Sequence, residues 1–150
     1  MRGLQLVGPA DVGDLTAFLS RADLTTGGLD DPRVRLWLLR DESGDVVGST
    51  GFELSEATTD VIVRSVAVTA DSRGKGLGTR LARHALEGAR AAGATRAWLF
   101  SRRSGPFWQG LGFEPADREE LAGALATTQQ VRLFRATGQL DREVAWSRSL

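Results

Sequence analysis

The sequence predicts a single α/β domain, built on one mixed and mostly antiparallel sheet with helices on both faces. Three observations predict it. Val61–Val68 (Val-Ile-Val-Arg-Ser-Val-Ala-Val) is rich in β-branched residues and reads as a buried strand. A short polar turn follows, with glycines at positions 74, 76 and 78, and then Leu77, Leu81, Ala85 and Ala89 recur every four residues, the spacing of one helix face. Upstream, the apolar runs Val34–Arg40 and Val46–Leu54 are joined by Asp41-Glu42-Ser43-Gly44-Asp45, a hairpin signal. Three antiparallel strands therefore lead into a strand–glycine turn–helix unit. At 150 residues the chain suits one domain, residues 1–150, around a single core.

The remaining elements follow in order. Arg2–Val7 is predicted as a first strand. Pro9 stands where a helix begins, and Val12, Leu15, Phe18 and Leu19 carry helical spacing to about Ala22. Asp23–Pro32 is a loop containing Gly27-Gly28 and Asp30-Asp31-Pro32. Trp37 and Leu39 share one face of the next strand, and Leu36 and Leu38 the other. The helix from Leu77 to Ala92 stops at Gly93. Thr95–Phe100 is a fifth strand, parallel to the fourth because a helix connects them. A short helix over Ser104–Leu111 and a sixth strand starting at Phe113 come next. Leu121, Leu125, Thr128, Val131 and Phe134 imply one helix or two before Gly138, and Glu143–Arg148 a last strand.

Composition excludes several function classes. Nineteen basic residues balance nineteen acidic ones, so no charge excess asks for a nucleic acid or a membrane surface. With no cysteine, disulfides, thiolate catalysis and cysteine metal sites are out, and one histidine cannot build a histidine-rich metal site. No metal is expected. The N-terminus lacks a signal peptide's apolar run and no segment approaches about 18 apolar residues, so the expectation is a cytosolic protein, either monomer or homodimer.

The glycine turn carries the chemistry. Glycines let the backbone approach a ligand without Cβ clashes, a helix N-terminus offers free N–H groups and partial positive charge, and Arg73 and Lys75 add full charges. Together they form a cradle for a phosphate or pyrophosphate. A Walker loop is absent, and a Rossmann fingerprint would need glycine where Leu81 stands. The pattern Arg73-Gly74-Lys75-Gly76-Leu77-Gly78 after a Val-x-Val strand resembles the acetyl-CoA loop of the GNAT N-acetyltransferases. Phe107-Trp108-Gln109-Gly110-Leu111-Gly112-Phe113 is similar to the aromatic pair and Gly-Phe corner of the same family. The resemblance spans roughly residues 2–116.

The resemblance implies acetyl-CoA as cosubstrate and a small-molecule amine as acceptor, joined by direct attack. It also implies a sheet splayed between strands four and five. The backbone of Val66, Ala67 and Val68 would pair with the pantetheine arm, and an N–H near Val66 would polarise the thioester carbonyl. Arg73, Gly74, Lys75, Gly76, Leu77, Gly78 and Thr79 would hold the pyrophosphate. Trp108 stands in place of the family's usual tyrosine acid, and the chain contains no tyrosine. An indole N–H donates a hydrogen bond but delivers no proton near neutral pH, so either packing or cofactor contact suits Trp108. A thiol with a pKa of about 8.5 leaves tolerably as thiolate without an acid. Ser101 and Ser104 are candidates to hold a proton-relaying water, or else to cap the helix that starts there.

Acceptor chemistry points to the strands. Glu53, alternating with Phe52 and Leu54, is the candidate base. Arg64, the one charge in an apolar run, is the candidate grip for an acceptor carboxylate. Both could instead pair with each other or meet solvent. Leu24, Thr25 and Leu29 are candidate acceptor-site lining, and His84 reads as a packing or surface residue. Gly51-Phe52-Glu53 and Arg64-Ser65-Val66-Ala67-Val68, with the paired aromatics, also resemble a subgroup labelled arsenic-resistance acetyltransferases, which suggests an anionic, amino-acid-like acceptor. The competing expectation is a catalytically weak acyl-CoA-binding module acting as sensor or scaffold.

Overall fold

The glycine-loop strand sits in the middle of seven. In the computed structural model, which describes residues 3–150, strands β1 (Gln5–Leu6), β2 (Val34–Arg40), β3 (Val46–Leu54), β4 (Asp60–Val68), β5 (Arg96–Phe100), β6 (Glu114–Ala116) and β7 (Ala145–Ser149) form one sheet in the order β1-β2-β3-β4-β5-β7-β6. Every neighbouring pair is antiparallel except β4 and β5. The helices are α1 (Val12–Arg21), α2 (Leu77–Ala91), α3 (Gly105–Gln109), α4 (Arg118–Ala124) and α5 (Gln129–Thr137).

Most expected elements form with trimmed ends. The first strand shrinks to Gln5–Leu6, and its expected start at Arg2 lies outside the described residues. Pro9 opens a 3-10 turn and α1 follows at Val12. Phe113 is a buried core residue immediately before β6, whose strand begins at Glu114. The apolar spacing after residue 118 resolves into two helices, because Asp117 and Thr128 each cap one: Asp117 accepts from Glu120 N and Thr128 from Val131 N.

The two faces of the sheet carry different helices. On one, Phe52, Val61 and Val63 pack with Ala82, Ala85 and Leu86 of α2 and with Trp108, Phe113 and Trp146. On the other, Leu36 and Leu38 meet α1, while Ile62 and Trp98 meet α4 and α5. Trp37 faces α2, with its ring centroid 4.8 Å from that of His84 in an edge-on contact, so His84 is a packing residue. The loop after α1 contains no helix. Instead α5, inserted between β6 and β7, packs beside it: Thr25 Oγ1 donates to Gln130 Oε1 at 2.8 Å and Gln129 Nε2 donates to Asp31 Oδ2 at 3.0 Å. The backbone N–H of Arg33 and then the Gln129 amide hold the Asp31 carboxyl below the usual carboxylate range.

The sheet opens between β4 and β5. Their pairing ends at Ile62↔Trp98. Beyond it β4 stays with β3 to Val68, while β5 runs beside β7. Burial falls accordingly, from buried through Ser65 to half-buried at Val66, Ala67 and Val68. A β-bulge accompanies the divergence: register passes from Gly51↔Arg64 to Ser49↔Ala67, so Ser65 and Val66 stand opposite Thr50 alone. Bulges bend a strand and increase its twist. Ser65 carries a positive φ of 61°, a conformation costing about 1–3 kcal/mol outside glycine. Its carbonyl is held by the buried Ser49 hydroxyl, which donates at 2.6 Å.

Candidate active site

The glycine loop continues directly from the splayed half of β4. Gly74 and Gly76 have φ of 80° and 75°, the left-handed region that glycine enters without steric cost. A Cβ at either would meet nothing within 4 Å, so the space before them is open. Gly76 is the residue before α2, and no side chain caps that helix. Its first-turn N–H groups therefore face outward uncapped, beside the exposed Arg73 and Lys75. Leu77 anchors the turn in the core. A Cβ on Gly78 would lie 3.8 Å from the Phe107 ring, where α2 and α3 approach each other. Thr79 is half-buried in the first turn. The half-buried backbone of Val66–Val68 thus leads to an electropositive helix end with open space before it.

Trp108 lies in the core, 7% exposed, with ring centroids 4.9 Å from Phe107 and 5.4 Å from Phe113 in edge-on contacts. Ser104 is exposed and sits before α3, but its side chain caps nothing; its backbone N–H instead donates to Ser101 Oγ at 3.1 Å. Pro106 in the first turn of α3 lacks an N–H, so there is one donor fewer for a cap to satisfy.

Glu53 and Arg64 come together on the α5 face. They project from adjacent strands, and Arg64 stands two residues beyond the last β4–β5 pair. Arg64 Nη1 is 3.6 Å from Glu53 Oε1, with side chains 1% and 0% exposed. Burial pushes the guanidinium pKa down, and Glu53 opposes that shift. Arg64 Nε donates to Ser65 Oγ at 3.3 Å, whereas Nη1 and Nη2 have no hydrogen-bond partner. Glu53 Oε2 accepts from Gln129 N at 2.5 Å, and Oε1 from Gln130 N at 3.3 Å. The part played by α5 was not read from the sequence. Thr128 signals a helix start, but nothing local says that a carboxylate 76 residues upstream will meet that helix.

A surface hollow lies elsewhere, between α1 and the β2–β3 hairpin. Its central charge, Arg40, is spent on Asp11 at 3.1 Å, Asp14 at 3.0 Å and the Gly44 carbonyl at 2.7 Å, a clamp that joins helix to hairpin. Among the described residues no cluster of three or more His, Cys, Asp or Glu side chains could hold a metal, and no helix is long and apolar enough to cross a membrane.

Solved structures share this architecture. N-acetylglutamate synthase from Neisseria gonorrhoeae, complexed with coenzyme A and N-acetyl-glutamate, superposes with a TM-score of 0.75 at 18% identity, covering 100% of this chain and 36% of that one. The present chain thus spans about a third of that protein. Rv2747 from Mycobacterium tuberculosis, in a complex that includes CoA, gives 0.76 at 16% identity over 99% of both chains. Tetrahymena GCN5 gives 0.72 at 14% identity, over 99% of this chain and 96% of that one. No curated protein matches the sequence. The sequence profile described as the acetyltransferase (GNAT) family matches residues 9–113, well over half of the chain and inclusive of the splayed strand, the glycine loop and the aromatic corner. The chain belongs to the acetyltransferase (GNAT) family.

Proposed function

We propose that the protein transfers the acetyl group of acetyl-CoA to the primary amine of a small acceptor that carries a carboxylate, an amino-acid-like molecule. The observation that carries this reading is Arg64: a buried guanidinium at the fork of the splay whose Nη1 and Nη2 have no hydrogen-bond partner. Burying donors without partners is costly, and an acceptor carboxylate would relieve it through charge-assisted bonds. The Neisseria synthase, whose complex contains N-acetyl-glutamate, supports an acceptor of that kind.

The residues present fit the donor. Open space before Gly74 and Gly76 and the uncapped α2 suit a pyrophosphate. The backbone of Val66, Ala67 and Val68, left by β5, suits an extended arm. When bound, acetyl-CoA supplies an activated acyl carbon with a thiolate leaving group of pKa about 8.5. An N–H at the bulge, at Val66, would stabilise negative charge developing on the carbonyl oxygen. The acceptor nitrogen bonds to the acyl carbon as the C–S bond breaks, and one amine proton is lost. An α-amine of pKa about 7.7–8.0 needs only a weak base or water for that. Ser104, exposed and capping nothing, is the candidate to order a proton-relaying water.

Arg64→Lys should raise the acceptor KM about tenfold, because lysine lacks the guanidinium fork, and leave the acetyl-CoA KM unmoved. An unchanged acceptor KM refutes the carboxylate reading. Trp108 is a second test. As a packing residue in the core, Trp108→Phe should keep most turnover, and Trp108→Tyr should raise it by restoring a proton donor. Collapse of turnover in Trp108→Phe, with CoA affinity and folding intact, would give the indole a direct role. The absence of any tyrosine favours a second reading, an acyl-CoA sensor with little turnover. Thiol release from acetyl-CoA in the presence of a panel of α-amino acids separates the two.

A further inference from the structure

We infer that Glu53 is a positioning residue, which locks the Arg64 guanidinium and the N-terminus of α5 into one unit and so shapes the acceptor pocket, and that it does not take the acceptor's proton. The inference rests on the reading of Arg64 as the acceptor's anion grip. A general base needs an oxygen within hydrogen-bond reach of the incoming amine. Both Glu53 oxygens are committed within the fold: Oε2 accepts from the Gln129 N–H and Oε1 from the Gln130 N–H, and the Arg64 guanidinium lies against Oε1 at 3.6 Å.

The same contacts suit a strut. β3 is interior to the sheet, and Glu53 is paired with Val34 on one side and Ile62 on the other, so its backbone is rigid. From it the carboxylate reaches both a long arginine side chain and the first turn of an inserted helix. The second turn of support runs outward from α5. Thr25 bonds Gln130, Asp31 bonds Gln129, and Gly28 packs against the Gln129 side chain so closely that a Cβ there would collide with it. The loop after α1 thus leans on α5, and α5 leans on Glu53. Gln129 and Gln130, seated on this strut, share the Glu53 carboxylate with Arg64 through their backbone N–H groups.

The test compares Glu53→Gln and Glu53→Asp with wild type, using L-glutamate or the best α-amino acid acceptor of a panel, across pH 6–9. For Glu53→Gln the expected result is an acceptor KM raised about tenfold at every pH, an unmoved acetyl-CoA KM, and faster hydrogen exchange at the Gln129 and Gln130 amides. Glu53→Asp keeps the charge but draws it back by one methylene, so a smaller rise in KM and in exchange is expected, a partial rescue. A loss confined to kcat, largest at low pH and vanishing as the amine deprotonates, with exchange unchanged, would make Glu53 the base and overturn the inference. Should Glu53→Gln fail to fold, Glu53→Asp carries the test, and unchanged KM and exchange in it overturn the inference equally. Arg64→Lys run alongside separates the two readings. If its acceptor KM does not move, the anion grip fails by itself, and Glu53 is then judged on amide exchange and the pH profile of kcat, neither of which depends on an acceptor carboxylate.

Discussion

Replacing Gly76 by valine should abolish CoA binding while leaving the fold in place. Gly76 has φ of 75° and immediately precedes the uncapped α2. A β-branched residue resists that conformation, at about 1–2 kcal/mol or somewhat more, so the loop must shift or remain strained. A side chain there would meet no protein atom within 4 Å, so the volume projects into the space where the pyrophosphate would lie. The readout is the CoA-induced rise in Tm. For wild type, CoA at a hundredfold excess over its Kd contributes about 2.7 kcal/mol; for Gly76→Val no rise is expected, whatever the variant's own Tm. An equal rise in both proteins would mean that the loop does not hold the cofactor.

Gly51→Ala should destabilise the whole domain by about 3 kcal/mol, near the upper end for overpacking a well-packed core. Gly51 lies in β3 between Leu36 on β2 and Arg64 on β4. An added methyl would fall inside contact distance of the Arg35 carbonyl oxygen and the Leu36 side chain. The first of these is backbone and cannot rotate away, so β2 would have to move relative to β3. Because the bulge begins at the next register position and Glu53 is two residues on, the acceptor KM should rise as well. Denaturant unfolding measures the stability change. A loss under about 1 kcal/mol would show that β2 adjusts freely at this point.

These two glycines mark different degrees of legibility. Gly76 was readable as a turn glycine ahead of a helix because its signal is local: alternating glycines, flanking basic residues, a β-branched run before and a helical repeat after. Gly51 carried no such signal, since its need for a missing side chain comes from a neighbouring strand. Similar reasoning covers α4 and α5. Their apolar spacing was visible, but the break between them depends on Asp117 and Thr128 forming caps. Ser104, equally suited to capping by residue type, does not cap.

The sequence alone determined the strand–glycine turn–helix core, the parallel fifth strand, the loop without a helix after α1 and the family, because each depends on residues close together in the chain or on a short motif. Tertiary structure decided the pairing of Glu53 with Arg64. Arg64 and Glu53 were legible as odd charges in apolar strands, with pairing, solvent exposure and chemistry all open. Their meeting depends on the β3–β4 register that runs unbroken from Gly51↔Arg64 to Leu54↔Val61, and a one-residue slip would send either side chain to the opposite face. Glu53 is further committed by α5, whose amides arrive from 76 residues away. Contacts of that range are fixed by how whole elements pack, and no local pattern of residue types encodes them.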